Sequence, residues 1–148
     1  MSAARGPTRI QAATGSFGSL PNVIAGSGGT GVLVENAGIN SLIDGNTIGD
    51  DNAPANGGDG VNLAGSQASV TNNTIDHNTK AGVRIGGVSA NQNVVTGNRI
   101  GLSDSDSGAG NGDEGVRIEN DASSDTIGGP AELDANTVSE NGDTGIFA

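Results

Sequence analysis

Two short words alternate along this 148-residue chain, and their strict alternation constrains the fold more than any other feature. One is Gly-Val followed, after any residue, by an aliphatic side chain. It reads Gly31-Val-Leu-Val34, Gly60-Val-Asn-Leu63, Gly82-Val-Arg-Ile85 and Gly115-Val-Arg-Ile118, and begins again as Gly145-Ile-Phe-Ala148. The other is Asn-x-Ile/Val, at Asn22-Val-Ile24, Asn46-Thr-Ile48, Asn73-Thr-Ile75, Asn98-Arg-Ile100 and Asn136-Thr-Val138. A weaker apolar spot lies between them, at Leu42-Ile43, Val70, Val94-Val95 and Ile127. No window sustains a helical apolar period, and glycine or asparagine breaks every such stretch. Short period-two words that recur in fixed order describe a solenoid, in which each repeat packs only on its neighbours.

One repeat is strand, turn, strand, asparagine turn, strand, variable loop. Strand alternation sends every second side chain to one face. Val32, Val61, Val83, Val116 and Ile146 then form one internal column, and Val34, Leu63, Ile85, Ile118 and Ala148 a second. Ile24, Ile48, Ile75, Ile100 and Val138 form a third. Burial at ~1.5–3 kcal/mol per aliphatic side chain makes these columns the main favourable term. The chain has 27 glycines, two phenylalanines and no Trp, Tyr or Cys, so its core is built from such aliphatic residues. Asn22, Asn46, Asn73, Asn98 and Asn136 are expected to stack as a ladder at one turn. Asparagine tolerates the positive φ of a sharp turn, and its amide bonds the amides above and below. The expected fold is all-β: a parallel β-helix of about five coils with three strands per coil, one domain over residues 1–148. Residues 1–21 read as a partial first coil with an irregular tail, in which Thr8–Gln11 serves as a second strand. Residues 145–148 read as the start of an unfinished coil. Length varies at corners: long loops at 49–59 and 101–114, a short one at 76–81, and an insertion at 128–135.

The formal charge of −11, with six scattered Lys and Arg, excludes a phosphate-neutralising surface and hence nucleic acid as partner. No long apolar run spans a membrane, and the first residues carry no signal peptide. Without cysteine there is no disulfide framework and no thiolate metal site.

The string from Gly97-Asn-Arg-Ile-Gly101 through Gly115-Val-Arg-Ile118, Asp125-Thr-Ile-Gly-Gly-Pro130 and Asn136-Thr-Val-Ser-Glu-Asn141 resembles the right-handed β-helix repeats of the pectate-lyase-like superfamily. The resemblance covers roughly Asn22 to Ala148. It implies right-handed coils and an extracellular or cell-surface location. It also implies a polysaccharide groove formed by the outer face of the first strand and the loop after the third. The matching face carries Leu33, Asn62, Arg84, Arg117 and Phe147, with Glu35 and Glu119 two residues on. Family lyases hold calcium on acidic residues there and use arginine as base. By that likeness the metal candidates are Asp50, Asp51, Asp59, Asp104, Asp106, Asp113 and Glu114, and the catalytic candidates are Arg84, Arg117 and His77. Carboxylates in flexible loops suit a hard cation such as Ca2+.

The residues themselves favour a plainer account. Asp104-Ser-Asp106-Ser-Gly108 opens like a calcium loop but has Ala109 and Gly115 where that motif needs Gly and Glu. His77 occupies a slot that reads Glu140 in a later coil, an exposed turn. Arg84 and Arg117 fall on consecutive coils and repel unless Glu114 and Glu119 pair with them. The expected function is therefore a non-catalytic structural or surface-adhesion module. A coil without caps exposes unpaired backbone, so head-to-tail self-association is expected, with Ala148 of one copy leading into Met1 of the next. The alternative is a fragment of a calcium-dependent polyuronate lyase or epimerase.

Overall fold

The structure, a computed structural model, describes residues 9–11, 20–35, 40–103 and 110–148. In chain order the strands are β1 (Arg9–Gln11), β2 (Val23–Ile24), β3 (Val32–Val34), β4 (Leu42–Asp44), β5 (Thr47–Ile48), β6 (Val61–Leu63), β7 (Ser69–Thr71) and β8 (Thr74–Ile75). They continue with β9 (Val83–Gly86), β10 (Val94–Thr96), β11 (Arg99–Ile100), β12 (Val116–Glu119), β13 (Thr126–Ile127), β14 (Thr137–Val138) and β15 (Ile146–Phe147). Every third strand joins the same parallel sheet. Sheet A is β1-β4-β7-β10-β13, sheet B is β2-β5-β8-β11-β14, and sheet C is β3-β6-β9-β12-β15. The Gly-Val words are sheet C, the Asn-x-Ile words are sheet B, and the weaker apolar spots are sheet A. Arg9–Gln11 pairs in register with Leu42–Asp44, as the second-strand reading of that segment expects.

Register is set by the columns. Val61, Val83 and Val116 are paired in successive strands, as are Ile48, Ile75 and Ile100. All six are fully buried. Sheet A contributes Ile43, Val70 and Val95 to the same core. A one-residue slip would turn every one of these side chains outward, which pins each strand to its neighbour. Among the described residues the one helical turn is a short 3-10 segment, Glu132–Asp134, inside the insertion expected at 128–135. Its Asp134 carbonyl accepts from the Gly97 N–H at 3.1 Å, which ties the insertion back to the corner below.

The asparagine ladder forms as expected, with one correction. Asn22 Nδ2 donates to Asn46 Oδ1 at 2.8 Å, and the Asn46–Asn73, Asn73–Asn98 and Asn98–Asn136 bonds are each 3.0 Å. At Asn46, Asn73 and Asn98 the positive φ expected of the asparagine belongs to the residue before it, Gly45 (67°), Asn72 (55°) and Gly97 (65°), whereas Ala135 before Asn136 is extended at φ −66°. The left-handed residue makes the turn, and the rung that follows is free to point inward. Its amide then bonds backbone carbonyls as well as the next rung.

Two further corners follow the same plan. Asn56, Asn78, Asn111 and Asn141 form a second ladder between sheets B and C, with amide bonds of 2.8, 2.8 and 2.9 Å. His77 (49°) and Glu140 (58°) supply its left-handed residues. Between sheets C and A, Asn40, Gln67, Gln92 and Ser124 are left-handed and precede Ser41, Ala68, Asn93 and Asp125. There the Asn93 N–H and Nδ2 both donate to Asp125 Oδ1, at 2.8 and 2.9 Å.

Candidate functional site

Inward Val83 and Ile85 force Arg84 outward, and Val116 and Ile118 do the same for Arg117. Register then stacks Leu33, Asn62, Arg84, Arg117 and Phe147 in one column on the outer face of sheet C. Two guanidinium groups therefore lie on adjacent strands, ~4.8 Å apart. Glu119 lies between them. Its Oε1 accepts from Arg84 Nε at 2.7 Å and lies 2.6 Å from Nη2, while its Oε2 accepts from Arg117 Nε at 2.8 Å. Glu114 Oε2 is 3.6 Å from Arg117 Nη1. Gly86, paired in register with Glu119, leaves the space in which Arg84 folds across. A Cβ there would stand 3.1 Å from Arg84 Nη2. The column continues through Arg84 Nη1, which donates to Asn62 Oδ1 at 3.4 Å. At the far end the Arg117 guanidinium sits 6.0 Å from the centre of the Phe147 ring.

The bond from Arg84, then that from Arg117, holds the Glu119 carboxyl below the usual glutamate range, against some opposing burial. A depressed folded pKa stabilises the fold above the unfolded value and loses that contribution as pH falls through the folded one. Acidification should thus loosen this face, and Glu119→Gln should flatten the acid limb of the stability–pH curve. For a side chain about one-fifth exposed the difference should be ~1 kcal/mol, the scale of well-placed surface pairs. Urea midpoints taken across the acid range read it directly. An unchanged acid limb would mean that the pair contributes nothing.

Asp59 behaves oppositely. Its carboxyl is buried beside the start of β6, and burial pushes its pKa up. Arg84, Lys80 and the Ala81 N–H oppose the shift, and Asp113 reinforces it.

The second ladder divides the metal candidates. The loops enter on its sheet B side, so Asp50 and Asp51 stand beyond sheet B. Asp59, Asp113 and Glu114 follow the ladder and flank sheet C. Asp104 and Asp106 lie outside the described residues. Asp50 accepts from the Asn52 N–H at 2.8 Å, which lowers its pKa and closes a tight turn. Together with Asp51, Thr47, Thr74, Asp76 and Ser103 it borders a groove of about 370 Å³ on the outer face of sheet B. The near ends of the two long loops thus flank one groove across a single short-looped coil. Among the described residues no three His, Asp or Glu side chains converge as metal ligands. His77 is the left-handed residue of its corner, in the same place as Glu140.

The second ladder was missed in the sequence although a signal for it exists. Asn56, Asn78, Asn111 and Asn141 each stand four residues before the glycine of a sheet C word, at Gly60, Gly82, Gly115 and Gly145.

A family model described as the right-handed beta helix region matches residues 20–148. No curated protein and no solved structure matches the chain.

Proposed function

Because the chain belongs to the right-handed β-helix family, we propose that it is a non-catalytic structural or surface-adhesion module. It works outside the cell, where it presents polar loops toward polysaccharide. The observation that carries this reading is Glu119. It bridges Arg84 and Arg117 from consecutive coils on the face where the pectate-lyase-like resemblance would place chemistry. Both Nε donors are already engaged by the one carboxylate, an arrangement that suits a brace and not a base. The outermost strands of each sheet, β1 to β3 and β13 to β15, offer ladder edges on which a further coil can stack. That coil can belong to the same polypeptide or to another copy.

The test is incubation with pectate or alginate in millimolar calcium, followed by ultraviolet absorbance of unsaturated uronate. No absorbance above the no-protein control is expected, with the same melting temperature in calcium and in chelator. Steady growth of absorbance that Arg84→Ala abolishes would replace this reading with a calcium-dependent lyase. A melt raised by calcium would argue for a cation site that binds the folded state.

A further inference from the structure

All three Asn-Gly dipeptides of the chain lie at one place in the fold. Asn56-Gly57, Asn111-Gly112 and Asn141-Gly142 are rungs of the second ladder, whose remaining rung, Asn78, is followed by Thr79. In this dipeptide the backbone nitrogen of the second residue reaches the side-chain carbonyl carbon of the first with least hindrance. Glycine has no Cβ in the way and few forbidden backbone angles.

We infer that these rungs are sites of spontaneous covalent modification held shut by their ladder bonds, and that the outermost rung of a stack, Asn141 in the folded 148-residue chain, is the one that reacts. The Gly142 nitrogen attacks Asn141 Cγ and closes a five-membered imide. The Cγ–Nδ2 bond breaks, and Nδ2 leaves as ammonia with the proton given up by the Gly142 nitrogen. Water then opens the imide to aspartate or isoaspartate.

The attacking nitrogen is engaged at all three sites. The Gly57, Gly112 and Gly142 N–H groups donate to the carbonyls of Ser27, Asn78 and Asn111, each at 2.8 Å. The amides differ. Asn56 and Asn111 are 0% and 1% exposed. Each donates both to a strand carbonyl, that of Ile24 or Ile75, and to the next rung, at 3.0 and 2.8 Å for Asn56 and at 3.0 and 2.9 Å for Asn111. Asn141 is only half-buried, and its Nδ2 holds the Ile100 and Ser139 carbonyls at 3.2 and 3.0 Å. All four of its bonds, these two and the two that its Oδ1 accepts from Asn111, are only part-buried, whereas Asn56 holds one fully buried bond and Asn111 three. The aspartate product also has a precedent in the molecule. Asp125 already acts as an accepting rung for Asn93, so a carboxylate at 141 can still accept from Asn111.

The experiment is timed incubation of the whole chain at mildly alkaline pH, folded and in urea, with peptide mass spectrometry at each rung. In the folded chain, conversion at Asn141 should outpace Asn56 and Asn111 by at least roughly tenfold, since those rungs react only after their coils open. In urea the three should converge, while Asn78 lags in both conditions. Asn56 or Asn111 keeping pace with Asn141 in the folded chain would overturn the inference. So would protection of Asn141 as strong as theirs.

Discussion

Ile75→Asn is expected to remove roughly 4–5 kcal/mol of stability, enough to unfold a domain of ordinary stability or leave it marginal. Ile75 has no exposed surface and sits between Ile48 and Ile100 in sheet B. Asparagine there leaves part of the layer empty and buries an amide whose neighbours are aliphatic. The ladder offers no relief, because Asn73, two residues away, already fills the rung of this coil. The contrast is Arg84→Ala. Arg84 lies on the outer face, and its loss leaves Glu119 bonded to Arg117, so about 1 kcal/mol or less should be lost. Urea melts of both variants decide the matter. A large loss for Arg84→Ala with little for Ile75→Asn would mean that inner and outer faces are reversed.

Asn73→Ala should rank next, at roughly 3–5 kcal/mol, because it orphans several buried groups at once. Asn73 Nδ2 donates to the Ile43 and Thr71 carbonyls and to Asn98 Oδ1, at 3.0, 2.9 and 3.0 Å. Its Oδ1 accepts from the Asn46 N–H and Nδ2 at 2.9 and 3.0 Å. Two amide hydrogens serve three acceptors, so one is shared. Alanine removes the whole set and leaves carbonyls and an N–H that water cannot reach. Asn73→Asp should lie close to alanine, since it keeps the acceptor but loses both donors and adds a buried charge. A loss under about 1 kcal/mol for both variants would mean that the rungs merely fill space.

The sheets and two of the three inner faces were legible because period two and the repeated words report the same geometry. Val83, Arg84 and Ile85 declare which way each points without help from the rest of the chain. The second ladder was hidden by the loops. Insertions such as 50–55 vary the distance from the preceding strand to Asn56, and only the constant spacing to the following glycine marks the rung. The third corner has no shared residue type, since Ser41, Ala68, Asn93 and Asp125 fill equivalent places. What they have in common is a left-handed residue before them, which Asn, Gln and Ser all supply. Arg84 and Glu119 are 35 residues apart, so their bond is visible only once strand register is known. The burial of Asp59 is likewise a product of stacking, because the Gly-Asp-Gly string around it reads as an open turn.

The account rests on asparagine amides as ties between coils, and their own hydrogens report this most directly. Side-chain NH2 protons of Asn46, Asn73 and Asn98, assigned by NMR, should exchange with solvent as slowly as the backbone amides of Val61 and Val83. Release should require opening of the same coils. Exchange at the rate of a free asparagine side chain, in a chain whose strand amides remain protected, would contradict it.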